Sequence, residues 1–436
     1  MSTSLRYGHG WMVVDLPDQN CRAVVQPTLP PAIADLDTTI ERCLDDPVGG
    51  KPLSKILKGR RKVVVVIPDA TRGEGVRLYL PPLLRYIEQH GVVRKRVTIL
   101  TATGVHRRHS DAGLEALVGP EIARNWTVVD HDGDEGNVLI KPLDDETPLW
   151  VDRRAVEADC LILVGRVNHH YCAGFSGGRK LIAPGLCGRE TVVALHRRTL
   201  ANIDASGNWQ SRTGGLRHNP FHEALAAVAE QVRPRFALNV TLGQQEEIIG
   251  VVAGDPVRSH LVACLQYDKV FRFPVPERLP LVVASCGGWP YDSDLYQAHK
   301  AVDNAFRAVQ PDGTIVLLAE CADEWGPGSF LRWLAIGSLK EHHERLKSHF
   351  EVAGHTTYAL KWKTTQCRLI VVSETLARAV KAGEEPMWLA SKVAVTPFRM
   401  AIVGDMEEAL TRADPAGSLP YYLMPFASFC LPEITG

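Results

Sequence analysis

Short apolar runs alternate with amphipathic stretches along most of the chain, and the period switches between the two. Residues 63–67, Val-Val-Val-Val-Ile, form a continuous apolar run, the pattern of a strand buried on both faces of a sheet. Residues 77–90 follow with helical spacing, and Gly91 stands as their stop. Residues 97–102 read as the next strand, with Ser110 as the N-cap of the helix after it. Residues 160–164 read as a third strand. Strands separated by helices imply right-handed crossovers and a largely parallel sheet.

The pattern resumes beyond the proline-rich stretch 274–280, which reads as a domain linker. Residues 281–285, 313–319 and 368–372 have strand character, and 294–309 and 330–350 have helical character. The expected fold class is therefore α/β, with two domains of mostly parallel sheet over 1–272 and 273–436. The tail after about 396 is open between its own domain and packing back on the N-terminal one.

Composition narrows the partners. The chain has 436 residues, 45% apolar and 23% charged, which are globular values. A net charge of −1 argues against a nucleic-acid-binding surface and against a polybasic membrane surface. The N-terminus has no secretory h-region, and no stretch approaches the ~18 apolar residues of a membrane span. The ten cysteines are scattered without a C-x-x-C pair, which excludes zinc ribbons, iron–sulfur sites and disulfide scaffolds. The expectation is a cytoplasmic protein with free thiols that acts on or binds something small, with no nucleic-acid or membrane partner.

Candidate chemistry gathers after the expected strands, where open α/β sheets place their ligands. Asp69-Ala-Thr71-Arg72 follows the first, and Thr103-Gly-Val-His106-Arg107 follows the second. His170 and the run Gly174-Phe-Ser176-Gly177-Gly178-Arg-Lys180 follow the third. The glycine loop offers backbone N–H groups to a phosphate or other anion, but it matches neither a Walker loop nor G-x-G-x-x-G. Lys180 leads into a semi-apolar stretch that would desolvate its amine, as suits a nucleophile or a covalent cofactor anchor; a surface lysine beside a turn is the plain alternative. His196 lies on an expected helix with Val192 one turn before it, either a core histidine or a metal ligand. Tyr296, Gln297 and Lys300 share another helix, where the lysine is either a solvated charge or a clamp for a carboxylate. Trp362 is an aromatic wall or simply core.

Taken together, Asp69-x-Thr71-Arg72, Thr103-Gly-Val-His106-Arg107, His170-x-x-x-Gly174-Phe-Ser176-Gly177-Gly178-x-Lys180, His196 and Tyr296-Gln297-x-x-Lys300 resemble the nickel-dependent lactate racemase family, over about residues 5–400. The resemblance implies two α/β domains with the active site in a cleft between them. It implies a nickel-pincer nucleotide, a pyridinium-3-thioamide-5-thiocarboxylic acid mononucleotide with nickel, held covalently by Lys180, with His196 as the metal's protein ligand. Asp69, Thr71, Gly174, Ser176, Gly177 and Gly178 are then places for the nucleotide and its phosphate. His106 and His170 become the two acid/base residues on opposite faces of the substrate's C2. Arg72 and Lys300 hold the carboxylate, with Tyr296, Gln297 and Trp362 lining the substrate. The reaction implied is inversion of a 2-hydroxy acid by hydride transfer to and from the cofactor, through a 2-keto acid. Cofactor-synthesis and nickel-insertion proteins are implied partners.

Two departures bear on the substrate rather than the chemistry. Gly73 stands where proline is common in the family, and residues 320–328, Glu-Cys-Ala-Asp-Glu-Trp-Gly-Pro-Gly, replace a simpler acidic–glycine run. With no evident cation for a second carboxylate, lactate or another short aliphatic 2-hydroxy acid is expected. The alternatives are a larger or dicarboxylic 2-hydroxy acid, a pyridoxal-phosphate enzyme using Lys180, and a non-catalytic nickel- or cofactor-binding protein.

Overall fold

The computed structural model describes residues 2–383 and 398–436. The chain forms two compact units, one of Thr28–Arg198 with Gly214–Val270, the other of Met1–Pro27, Thr199–Thr213 and Phe271–Gly436.

The first unit is built on six strands in the order Ile248–Gly254, Phe236–Leu242, Cys160–Arg166, Val63–Pro68, Val97–Ala102 and Thr127–Asp130. Every neighbouring pair is parallel except the first, which is antiparallel. Val63–Pro68 is buried at every position because it lies mid-sheet with cover on both faces. Helix Val76–Gln89 sets Leu80, Leu83 and Ile87 in one core with Val65 and Ile67. Helix Asp111–Val118 begins where Ser110 accepts the Gly113 N–H at 3.1 Å.

The second unit holds another six-stranded sheet, ordered Met400–Val403, Arg368–Val372, Val309–Leu318, Leu279–Ser285, Tyr421–Met424 and Cys21–Val24. All of its pairs are parallel. A single cut near 272 therefore needs revision. The tail, whose residues 396 and 397 lie outside the described ones, puts two strands into the second sheet, and an N-terminal strand joins them. The proline-rich stretch is no free linker either, since Arg272–Val275 pairs with Leu431–Ile434 and Pro280 lies inside a strand. Such long-range pairing leaves no mark in local periodicity. The helical stretch 330–350 is two helices, Gly328–Leu334 and Leu339–Ser348, the latter restarted by Ser338 as N-cap. No described helix is long and apolar enough to cross a membrane, and all ten cysteines are free.

Residues 199–213 are fastened inside the second unit by buried polar groups. Asp303 accepts from Ser211 Oγ and Thr213 Oγ1, both at 2.7 Å, and pairs with Lys363 Nζ at 2.7 Å. Burial opposes ionisation of Asp303, but the charges of Lys363 and Arg307 hold its carboxyl below the ordinary range. Removing one partner of such a pair leaves a buried charge uncompensated. Lys363→Met is expected to lower unfolding stability by about 3–5 kcal/mol; a urea midpoint equal to wild type would refute that assignment.

Candidate active site

The central parallel strands of the first unit deliver the expected clusters side by side. Asp69 follows strand Val63–Pro68 and opens the 3-10 turn Ala70–Arg72. The 103–106 turn leaves the neighbouring strand Val97–Ala102, and Thr103 Oγ1 donates to the His131 carbonyl at 2.7 Å. His169–His170 pairs with Gly174–Phe175 beyond strand Cys160–Arg166. Lys180 sits in the turn Gly178–Leu181, and His196 in helix Arg189–Arg197.

Asp69, only 5% exposed at its side chain, is the anchor of this edge. Its Oδ2 lies 2.5 Å from His106 Nδ1, its Oδ1 accepts from Thr71 Oγ1 at 2.8 Å, and Arg72 approaches to 4.0 Å. Burial opposes ionisation, but the bond from His106, the charge of Arg72 and the Thr71 hydroxyl hold this carboxyl below its ordinary range. Both oxygens of Asp69 face protein donors, and its carboxylate fixes the His106 proton on Nδ1, so the lone pair is on Nε2. His170 has the opposite arrangement, since its Nδ1 accepts the N–H groups of Cys172 and Ala173 at 3.2 and 3.1 Å. A neutral His170 therefore carries its proton on Nε2.

His196 donates from Nδ1 to the Val192 carbonyl one turn earlier, at 2.8 Å, and its ring lies 5.0 Å from that of Phe221. Burial pushes its pKa down to about 4, against the Val192 bond, with the charges of Lys180, Arg72 and His106 adding to the fall. The imidazole is thereby neutral at pH 7, with the lone pair on Nε2, the state a metal ligand requires. Among the described residues no group of three or more His, Cys, Asp or Glu is arranged to hold a metal.

The glycine loop is held by protein contacts. Gly174, Gly177 and Gly178 all have positive φ, and a Cβ on them would come within 2.3 Å of the Gly215 carbonyl, 2.7 Å of the Arg166 carbonyl and 2.7 Å of the His260 ring. Glycine is needed there by close packing as well as by backbone conformation. Ser176 bonds with Asn168 on both sides, its Oγ accepting from the Asn168 N–H at 3.0 Å. Arg179, buried beneath the loop, donates to the carbonyls of Ala173 at 2.7 Å and Phe175 at 3.3 Å, while His260 bonds the Ser176 carbonyl at 2.8 Å. Sequence reasoning missed Arg179, His260 and Asn219, which donates to the Cys172 carbonyl at 2.8 Å. Their partners are mostly backbone groups, which carry no sequence signal, and Arg179 and His260 also meet each other at 3.3 Å across 81 residues of sequence.

The remaining expected residues lie in the second unit. Helix Leu295–Ala305 starts at Asp294, whose carboxylate accepts the Gln297 N–H at 2.6 Å. One turn on, Lys300 Nζ donates to Gln297 Oε1 at 2.6 Å. Tyr296 meets Phe330 edge-on at 5.4 Å. Gly326 carries this helix start closely, because a Cβ there would lie 3.0 Å from both Asp294 and Tyr296. Trp362, on helix Val352–Gln366, packs edge-on to Phe306 at 5.5 Å, and its indole N–H reaches Asn208 at 3.4 Å. The lysines flanking it are both buried, and burial pushes Lys361 down to about 7. The departure at Gly73 also has a local cause, since a Cβ there would come within 2.3 Å of Leu117.

The chain matches known proteins over most of its length. Residues 7–207 match the family model of the lactate racemase N-terminal domain, and 277–418 that of the C-terminal domain. The class is thus an isomerase of the racemase type. The chain belongs to the lactate racemase family. It is 31% identical over 331 residues to the lactate racemase of Thermoanaerobacterium thermosaccharolyticum, covering 75% of this chain and 76% of that protein. To the lactate racemase of Lactiplantibacillus plantarum it is 31% identical over 299 residues, 68% and 69% of the two chains. The structure of the lactate racemase apoprotein from T. thermosaccharolyticum superposes with a TM-score of 0.86 at 26% identity, covering 99% of this chain and 100% of that one. A Thermotoga maritima protein shares the fold, with a TM-score of 0.65 at 18% identity over 92% of this chain and 98% of that one.

Proposed function

We propose that this protein racemises a short aliphatic 2-hydroxy acid, with lactate the first candidate, using a nickel-pincer nucleotide tethered to Lys180. The observation that carries the reading is His196, whose Nδ1 is tied to the Val192 carbonyl and whose ring is held neutral by burial. These residues suit the cofactor: Lys180 would supply the amine for its covalent attachment, and His196 Nε2 would ligate nickel. When bound, the group would take up and return the C2 hydride, so that the substrate passes through a planar 2-keto acid.

The chain's own residues supply the rest. Arg72 is assigned as a carboxylate clamp, and so is Lys300, whose ammonium Gln297 holds in place. His106 Nε2 takes the hydroxyl proton while Asp69 stabilises the imidazolium that forms. In their neutral forms His106 offers a lone pair at Nε2 and His170 an N–H at Nε2, complementary arrangements for the two faces of C2. Tyr296 and Trp362 would line the substrate's short side chain. The ten free thiols suit a reducing cytoplasm, and proteins that make the cofactor and insert nickel are the partners this chemistry requires.

The test is expression with nickel and the cofactor-synthesis proteins, followed by chiral analysis of a 2-hydroxy-acid panel. Wild type is expected to invert lactate, and His196→Ala to lose both nickel, measured by metal analysis, and turnover. Nickel retained by His196→Ala would remove it as the ligand. A loaded wild type inert on the whole panel would overturn the activity.

A further inference from the structure

We infer that His109 is a positioning residue for this reaction, locking the Asp69 turn from behind through Asp130; the inference rests on the proposed function for its catalytic consequence. Two histidine–aspartate pairs leave the same segment three residues apart. His106 bonds Asp69, and His109 bonds Asp130 at the end of strand Thr127–Asp130. The second pair bonds backbone N–H groups as well as each other. Asp130 grips His109 twice, accepting its main-chain N–H at 2.6 Å and lying 2.9 Å from its Nδ1. His109 Nε2 in turn accepts the N–H of Ala70 at 3.1 Å.

The two ring bonds set the tautomer: Nδ1–H donates to Asp130, and the lone pair on Nε2 receives Ala70. Ala70 directly follows Asp69 and opens the turn that carries Thr71 and Arg72. One imidazole thereby joins the end of the Thr127 strand to the turn after Val63–Pro68, two strands across the sheet. Its side chain is 10% exposed and that of Asp130 is 4%, so solvent competes little for either bond. Without the Ala70 bond the turn keeps its Arg72 N–H to Asp69 carbonyl contact but loses its tie to the end of strand Thr127–Asp130. Asp69 must then hold His106 from a looser base, and small misplacements of an acid/base group are costly.

The experiment compares His109→Phe, which removes both ring bonds, with His109→Gln, whose amide can accept from Ala70 and donate to Asp130. Amide exchange at Ala70 is followed by NMR on the purified chains, and kinetics are measured on cofactor-loaded protein. In His109→Phe we expect exchange at Ala70 faster by about tenfold or more and kcat lower by about 10–100-fold, with KM within about threefold. His109→Gln is expected to restore both towards wild type, and His109→Phe is expected to have the lowest melting temperature of the three because Asp130 loses its ring partner. Ala70 protection in His109→Phe equal to wild type overturns the placement. Wild-type kcat in His109→Phe overturns the positioning role, as does failure of Gln to recover kcat while Ala70 is protected. Should wild type prove inert on all 2-hydroxy acids, the proposed function falls instead, and exchange at Ala70 still decides whether His109 holds the turn.

Discussion

Lys180→Ala is expected to abolish the added mass of the cofactor on the intact chain and, with it, all inversion of 2-hydroxy acids. Lys180 sits in the short turn Gly178–Leu181, locked below by the bonds of Arg179 and His260 to the loop carbonyls. A lysine amine in such a partly buried setting can form a covalent bond to a cofactor; a guanidinium cannot. Lys180→Arg, which keeps the charge, should therefore show the same loss of mass. Intact-protein mass spectrometry separates this from weakened binding, because a non-covalent cofactor leaves on denaturation. The same added mass on Lys180→Ala as on wild type would refute the tether.

The second large effect belongs to the histidines. His106→Ala and His170→Ala are each expected to lower kcat by about 10²–10⁴-fold, the range for a positioned acid/base group, while the cofactor mass and nickel content stay as in wild type. Asp69→Asn should fall between, since an asparagine carbonyl can still accept the His106 Nδ1–H but carries no charge to stabilise the imidazolium. Both enantiomers must be assayed as starting material. Turnover within tenfold of wild type from either alanine variant would remove that histidine from the proton transfers.

Much of this protein was legible in its sequence, for reasons that can be traced to particular residues. Val63–Pro68 declares itself because a strand buried on both faces has to be apolar throughout. Ser110 and Asp294 mark helix starts because a short polar side chain satisfies N–H groups that the helix leaves over. The clusters at 69–72, 103–106 and 170–180 were visible as polar runs after such strands. By contrast, the roles of Asp69, His109 and Asn208 rest on partners 37, 21 and 154 residues away, a distance that no local pattern reports. The glycines at 174, 177 and 178 show the limit from the other side. The sequence suggests a phosphate cradle, whereas each one also has a protein atom where its side chain would lie.

What the sequence by itself determined is the α/β class, the two-part organisation and the inventory of chemically capable residues, because burial and helix capping act on residues close together in the chain. Only the tertiary structure decided that residues 1–27, 199–213 and the tail belong with the second unit. It also decided which nitrogen of His106, His170 and His196 carries the proton. Both outcomes depend on hydrogen bonds that close between distant segments or onto backbone groups, and a donor's identity in the sequence does not name its acceptor in space.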